Sequence, residues 1–252
     1  MNTISIIFLI VILIGSYDYS NAQSFGFGCI GFTGAFGGYS CQKYNPSELN
    51  DYINSFNRLR IDSLTEPMNS FGNARGLRVG INFFRKKYRH FFFTTKGFYQ
   101  LLVERKNALE KLSTGNVSTN FETKLTTWGL GFDVGTPIVS FLNWKIIDAA
   151  IIYNQAKFSN TQNFPGAVTI VNSYKSDFSF GYSIGSGVIV ELFGEYVTLE
   201  GSALYSKISI GEMQSENSVK LTKNENSTDV IKNFISEGGL NAVIQLNIGI
   251  PL

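Results

Sequence analysis

The chain holds one histidine, His90, and two cysteines, Cys29 and Cys41. A hydrolase or acyltransferase built on a Ser–His–carboxylate relay would have to use His90. That residue stands close to the charged run Arg85-Lys86-Lys87, which reads as a tight turn. The plain reading is a hydrogen-bonding histidine at a rim or in a lumen. A metal centre needs several His, Cys or carboxylate ligands converging, and Cys29 with Cys41 do not supply them. If residues 29–36 are extended the two thiols are too far apart to bond, so both are expected free or buried. Gly26-Phe27-Gly28 and the other glycine runs have no helix start behind them and are not phosphate loops. No cofactor and no catalytic residue is expected. One dispersed set of residues could act together: Arg78, Asn82, Lys96, Asp133, Glu200, Asn241, Gln245 and Asn247. Each falls on the polar parity of an alternating segment. As an inward set they form either a mutually satisfied plug, because buried charges need partners, or a lumen that passes protons or small solutes. The plug is the reading adopted.

The elements that must position this set are strands. In Gly239 to Ile250 one parity reads Leu240, Ala242, Ile244, Leu246, Ile248 and Ile250; the other reads Gly239, Asn241, Val243, Gln245, Asn247 and Gly249. Successive strand side chains face opposite ways, so this segment has one greasy and one mostly polar face, and about ten such residues cross a bilayer. The same pattern predicts strands over Phe25 to Gly38, Gly76 to Phe84, Tyr88 to Tyr99, Phe121 to Val134, Ile138 to Tyr153, Asp177 to Val190 and Glu195 to Ile210. In the fifth of the eight, Lys145 and Asp148 lie on opposite parities, which leaves its faces unassigned. Leu101, Arg105, Ala108, Leu109 and Leu112 fit a helical turn better than a strand. Ser40 to Ala74 is a long insertion. Within it Asn45 can cap a helix, Pro46 suits its first position and Glu48 can reach back, with Leu49, Tyr52, Ile53, Phe56 and Leu59 at helical spacing. That helix, Pro46 to Leu59, either folds onto the barrel mouth or docks a partner. Gly135-Thr136-Pro137 and Leu192-Phe193-Gly194 read as tight turns. Asn154 to Ser173 and Gly211 to Ser236 read as polar loops.

Composition agrees with this layout. The net charge is +2, which argues against a nucleic-acid binder. Apolar residues make up 44% and charged residues 16%, yet no later run is long enough for a membrane helix; apolar residues spread by alternation are what a membrane barrel needs. Ile4 to Ile14 is apolar but too short to span, and Ser20 and Ala22 fit a peptidase site. Residues 1–22 are therefore expected to be a cleaved secretory signal, although no Lys or Arg precedes the apolar run. An N-terminal anchor helix is the alternative. Residues 23–252 form the barrel domain.

The connections alternate in length, with short turns at one rim and long loops at the other. By this pattern the chain resembles the small bacterial outer-membrane β-barrels of the OmpA/OmpX type. The resemblance spans the mature chain and rests on pattern, not on a motif. It implies an all-β, closed, antiparallel, up-and-down transmembrane barrel of about eight strands. It also implies a monomer that meets outer-membrane lipid and the barrel-assembly machinery, with periplasmic short turns. One departure is the ending Ile250-Pro251-Leu252, where such proteins usually carry a terminal aromatic. A soluble lipocalin-like ligand-binding barrel would alternate too. Here the polar parity is mostly Gly, Ser, Thr and Asn, which suits a narrow interior better than a watery exterior. Function is expected to be non-enzymatic, structural or partner-binding through residues 40–74 and 211–236. A narrow transporter of small or apolar solutes is the second expectation.

Overall fold

The computed structural model describes residues 34–249, apart from 88–89, 114, 167–168, 194–195 and 225–226. The signal segment, Cys29, the start of the first strand and the terminal Ile250-Pro251-Leu252 lie outside the described residues. The elements in order are β1 Gly34–Lys43, α1 Ser47–Leu59, β2 Leu64–Glu66, β3 Asn73–Lys87, β4 Phe92–Leu112, β5 Gly115–Val139, β6 Leu142–Asn163, β7 Ile170–Ser176, β8 Ser179–Phe193, β9 Val197–Lys207, β10 Met213–Gln214 and β11 Gly239–Gly249. Eight of the strands run in the order β6-β5-β4-β3-β1-β11-β9-β8, and β8 pairs back onto β6. Every pairing is antiparallel, so the sheet is a closed barrel. Closure satisfies every wall strand and leaves no edge in the hydrocarbon.

The outward parity is apolar and bare. Leu77, Val79, Trp128, Leu130, Ile151, Phe180, Tyr182, Ile244 and Ile248 are all exposed. The inward parity of the same strands holds Arg78, Thr127, Asp133, Ser183 and Gln245, all buried. This inside-out polarity is that of a lipid-facing barrel and excludes the lipocalin-like alternative. Along β5 the polarity then reverses. Up to Trp128 from the short-turn side, apolar groups point out and Thr127 and Asp133 point in. Beyond it Val117, Phe121 and Leu125 are buried, while Glu122 and Lys124 lie on the outer face. In β6 the change falls at the same level, with Tyr153 followed by Gln155 and Lys157 outside, and Ala156 and Phe158 inside. The barrel wall leaves the bilayer there and becomes an ordinary water-facing sheet. Residues 102–112 of β4 pair with 115–125 of β5 above that level, roughly 30 Å of strand.

Several expectations need correcting for this reason. Leu101 to Leu112 is strand, not a helical turn. Leu101 faces lipid while Leu102 and Ala108 are buried on the inner face, so the set Leu101, Arg105, Ala108, Leu109 and Leu112 mixes parities and mimics a spacing of three and four. Asn154 to Asn163 continues β6 and β7 follows, where a polar loop was expected. Arg85 and Lys86 are paired in β3 against Thr94 and Phe93, so the turn falls later. Gly135-Thr136-Pro137 is also strand: β5 runs to Val139, with Pro137 at a register shift near the ladder's end, where a missing N–H is tolerated. Leu192 and Phe193 finish β8. The segment from Gly211 to Ser236 carries β10 and the buried residues Met213, Leu221, Ile231, Phe234 and Ile235.

Helix α1 is present, but its start differs from the expected capping pattern. Pro46 precedes the first turn and gives no side-chain cap. Asn45 is held instead in a bridge to Glu237, and Glu48 turns away to accept from the Lys232 N–H at 2.8 Å and the Asn233 amide at 3.1 Å. Leu49, Tyr52, Ile53 and Phe56 are buried against Phe121 and Phe158. The apolar face of α1 is thus spent on closing the barrel mouth, each side chain contributing about 1.5–3 kcal/mol of gross burial.

Candidate functional site

The interior between the two rims is filled by an ion-pair cluster. Lys96 Nζ donates to Asp133 Oδ1 at 2.6 Å and to Asp148 Oδ1 at 2.7 Å. Lys145 Nζ donates to Asp148 Oδ2 at 2.6 Å and Glu200 Oε1 at 2.5 Å, and lies 3.3 Å from Asp133. Ser202 Oγ sits among Lys145, Asp148 and Glu200. Asn247 reaches Thr198 and Glu200, and Gln245 donates to Asn247. Three carboxylates therefore face two lysines in direct contact.

Arg78 supplies the third cation. It is buried and stacks its guanidinium 3.6 Å from the centre of the Phe98 ring. The far end of the Phe98 ring in turn occupies the space over Gly129, where a Cβ would come within 2.1 Å of it. Glycine on β5 thus makes room for an aromatic, and the aromatic carries the arginine. The balance of three cations and three carboxylates leaves no net charge in this layer. One small cavity of about 10 Å³, bounded by Gln42, Gln100, Thr127 and Asn241 among others, has room for about one water.

The structure brings together most of the inward set expected from parity. Arg78, Lys96, Asp133, Glu200, Asn241, Gln245 and Asn247 are buried in the barrel. Asn241 accepts from Ser40 Oγ at 2.6 Å, outside the ion cluster. Asn82 is only half-buried and pairs opposite Lys96 across β3 and β4. Two central members were missed, Lys145 and Asp148. Both point inward because Ile146 is an extra residue: Ile147 pairs with Val134 and Lys145 with Gly135, so one residue of β6 has no partner. Such a bulge returns both charges, three apart, to one face. Two oppositely charged residues on clashing parities within an apolar strand were the available signal. His90 is exposed in a bend at the short-turn rim. Cys41 is a half-exposed free thiol, and among the described residues no group of His, Cys, Asp or Glu is arranged to hold a metal ion.

Beyond the bilayer level two polar fasteners hold the cap. Glu104 Oε2 accepts from the Tyr44 hydroxyl at 2.8 Å and from the backbone N–H groups of Gly72 at 3.0 Å and Asn73 at 2.7 Å. Both ends of the α1 segment are tied to this one carboxylate. Burial, then the Glu104 charge, push the Tyr44 phenol well above its ordinary range. At Glu48 partial desolvation pushes the carboxyl up, but the Lys232 and Asn233 donors outweigh it and hold it below the usual carboxylate range.

A closed eight-stranded barrel, apolar outside at one level and charged inside at the same level, is a small outer-membrane β-barrel. The chain is similar to the crystal structure of Ail, the attachment invasion locus protein of Yersinia pestis, at 10% identity and a TM-score of 0.39, over 86% of this chain and 97% of that one. It is likewise similar to Ail in complex with the heparin analogue sucrose octasulfate, at 8% identity and a TM-score of 0.36, over the same shares. Likenesses this distant say nothing about function. No family model matches the chain, and no curated protein matches it.

Proposed function

We propose that the protein is a sealed, non-enzymatic barrel that presents a rigid protein-binding surface outside the cell. The carrying observation is the sheet that projects beyond the bilayer level. Its last strand, β7, pairs with β6 along Ile170–Lys175 and with β10 only at Lys175 and Ser176. Ile170 and Val171 are 48% and 59% exposed on it. An edge of this kind accepts an extended segment of another protein as an added strand. Residues 40–74 and 211–236 serve this surface from beneath, because their apolar side chains are spent on the cap. The charged interior acts as a plug, since eight strands enclose little more than side-chain volume. Residues 1–22 act as the export signal, and the short turns face the periplasm.

Two measurements test this. Purified protein in a planar bilayer should give no steady conductance; an ion-selective current altered by Glu200→Gln would favour the narrow transporter. A photo-cross-linking residue at position 171 on displaying cells should trap a protein partner, and one at position 180 should not. Val171→Pro, combined with the cross-linker at position 173, should abolish the product. Equal trapping with and without the proline would refute strand addition.

A further inference from the structure

A groove of about 200 Å³ lies on the outer wall where β11, β1 and β3 meet. Its floor is small, made by Cys41 and Ala242, which pair across β1 and β11. Leu240, Lys43 and Arg75 wall it. Its height relative to the membrane is set by its neighbours. Tyr39, two residues back along β1, and Leu77, two along β3, are exposed, and tyrosine on a barrel wall marks the lipid–water interface. The groove therefore opens at headgroup level, just beyond the apolar belt.

Its charge is one-sided. The outward parity at this level carries cations on several strands, among them Lys43, Arg75, Arg105, Lys124 and Lys157. Arg105 and Lys124 both pair with Glu122 and share its one negative charge. Lys43 and Arg75 are exposed and have no carboxylate partner among the described residues. Cys41 pairs with Arg75 and Lys43 with Asn73, so Lys43 and Arg75 are diagonal neighbours on one face. Diagonal neighbours stand about 7–8 Å apart, a gap that one tetrahedral anion spans. We propose that this groove binds the phosphate-bearing headgroup of a membrane lipid, with the phosphate between Lys43 and Arg75 and the first carbons over Cys41 and Ala242. Guanidinium and ammonium groups are the donors phosphate recognition calls for. The assignment concerns the wall, not the projecting edge, and stands apart from partner binding.

Cys41 reports occupancy directly. In the Cys29→Ser background, in uncharged maltoside micelles, the rate of its alkylation by a small maleimide is measured with added phosphatidic acid or with diacylglycerol of the same chains. Phosphatidic acid should slow alkylation more than diacylglycerol, at about fivefold in affinity per cation engaged. Lys43→Gln with Arg75→Gln should erase the difference, Lys43→Arg should keep it, and Lys157→Gln should leave it unchanged. Inorganic phosphate alone should not protect. Heat-modifiable gel mobility confirms that each variant is folded. Equal protection by the two lipids, protection by inorganic phosphate, or an equal loss in Lys157→Gln would overturn the proposal. If the double variant does not fold, Lys43→Gln and Arg75→Gln tested singly must each reduce protection.

Discussion

Asp148 is the group on which the interior turns, because it alone accepts a 2.6–2.7 Å bond from each lysine. Asp148→Asn would leave Lys96, Lys145 and Arg78 facing Asp133 and Glu200, an excess of one positive charge. At an effective dielectric of about 20, unit charges about 2.7 Å apart attract by about 6 kcal/mol. Asp148 makes two such contacts, against which stands the several kcal/mol its own carboxylate loses on leaving water. The expected loss is about 3–5 kcal/mol, the range found when one member of a buried pair is removed. Both tryptophans, Trp128 and Trp144, are exposed on the lipid side, so their emission reports insertion. Urea unfolding in phosphatidylcholine vesicles should show a lower midpoint with an unchanged slope. Lys145→Met with Asp148→Asn restores the charge balance, and should cost less than the two single changes added together. A loss below about 1 kcal/mol, or strict additivity, would mean that water screens the cluster and that the plug does not hold the barrel.

Other outcomes follow from separate features. Phe180, 76% exposed on the lipid face, should tolerate arginine poorly: Phe180→Arg should cost about 2–4 kcal/mol of folding into lipid, and unimpaired folding would refute its depth. Deleting Ile146 removes the bulge and sets Lys145 directly before Ile147 in regular alternation, so both charges should stay inward and folding yield on gels should be largely kept; a collapse in yield would refute the assignment of Ile146 as the extra residue. The raised Tyr44 pKa stabilises the cap fully below the ordinary tyrosine value, about pH 10, and that contribution is lost as pH rises through the folded value. Proteolysis of residues 44–73 should accelerate above about pH 10, and Tyr44→Phe should remove that step. With Cys29 and Cys41 replaced by serine, a membrane-impermeant thiol reagent on intact cells should label Lys220→Cys and spare Lys86→Cys; the reverse would invert the topology.

The barrel was legible where a single polarity rule governs a whole strand. In β8 and β11 every second residue meets lipid, so Phe180, Tyr182, Ile244 and Leu246 declare the outer face without ambiguity. The eight-strand count was legible on the same grounds, and the helix expected over Pro46 to Leu59 was legible from its spacing of three and four, its first helical residue being Ser47. Sequence reading failed where two environments share one strand. Leu101 and Leu102 are adjacent and both apolar, yet one meets lipid and the other the cap core, a distinction that no periodicity within one window carries. Phe36, Phe92 and Phe98 point inward although aromatic, because cross-strand glycines open space that only the register reveals. Lys145 and Asp148 were lost to one bulged residue. The buried side chains of the 208–238 segment are scattered among polar residues, and only their convergence beneath α1 makes them a core.

The unbroken passage of β4, β5 and β6 from bilayer to projecting sheet has a mechanical consequence. A pull on an outer partner held at β7 enters β6 across the Lys157–Gln162 ladder and then runs lengthwise into the wall. Along the wall the hydrogen bonds of neighbouring strands are loaded in shear, many rows at once, and no hinge or flexible stalk lies between the point of attachment and the membrane. The outer sheet and the barrel therefore behave as one stiff beam set in the bilayer. The interior ion pairs resist collapse of the tube at its embedded end. Were a partner strand added at β7, it would give way before the anchor does.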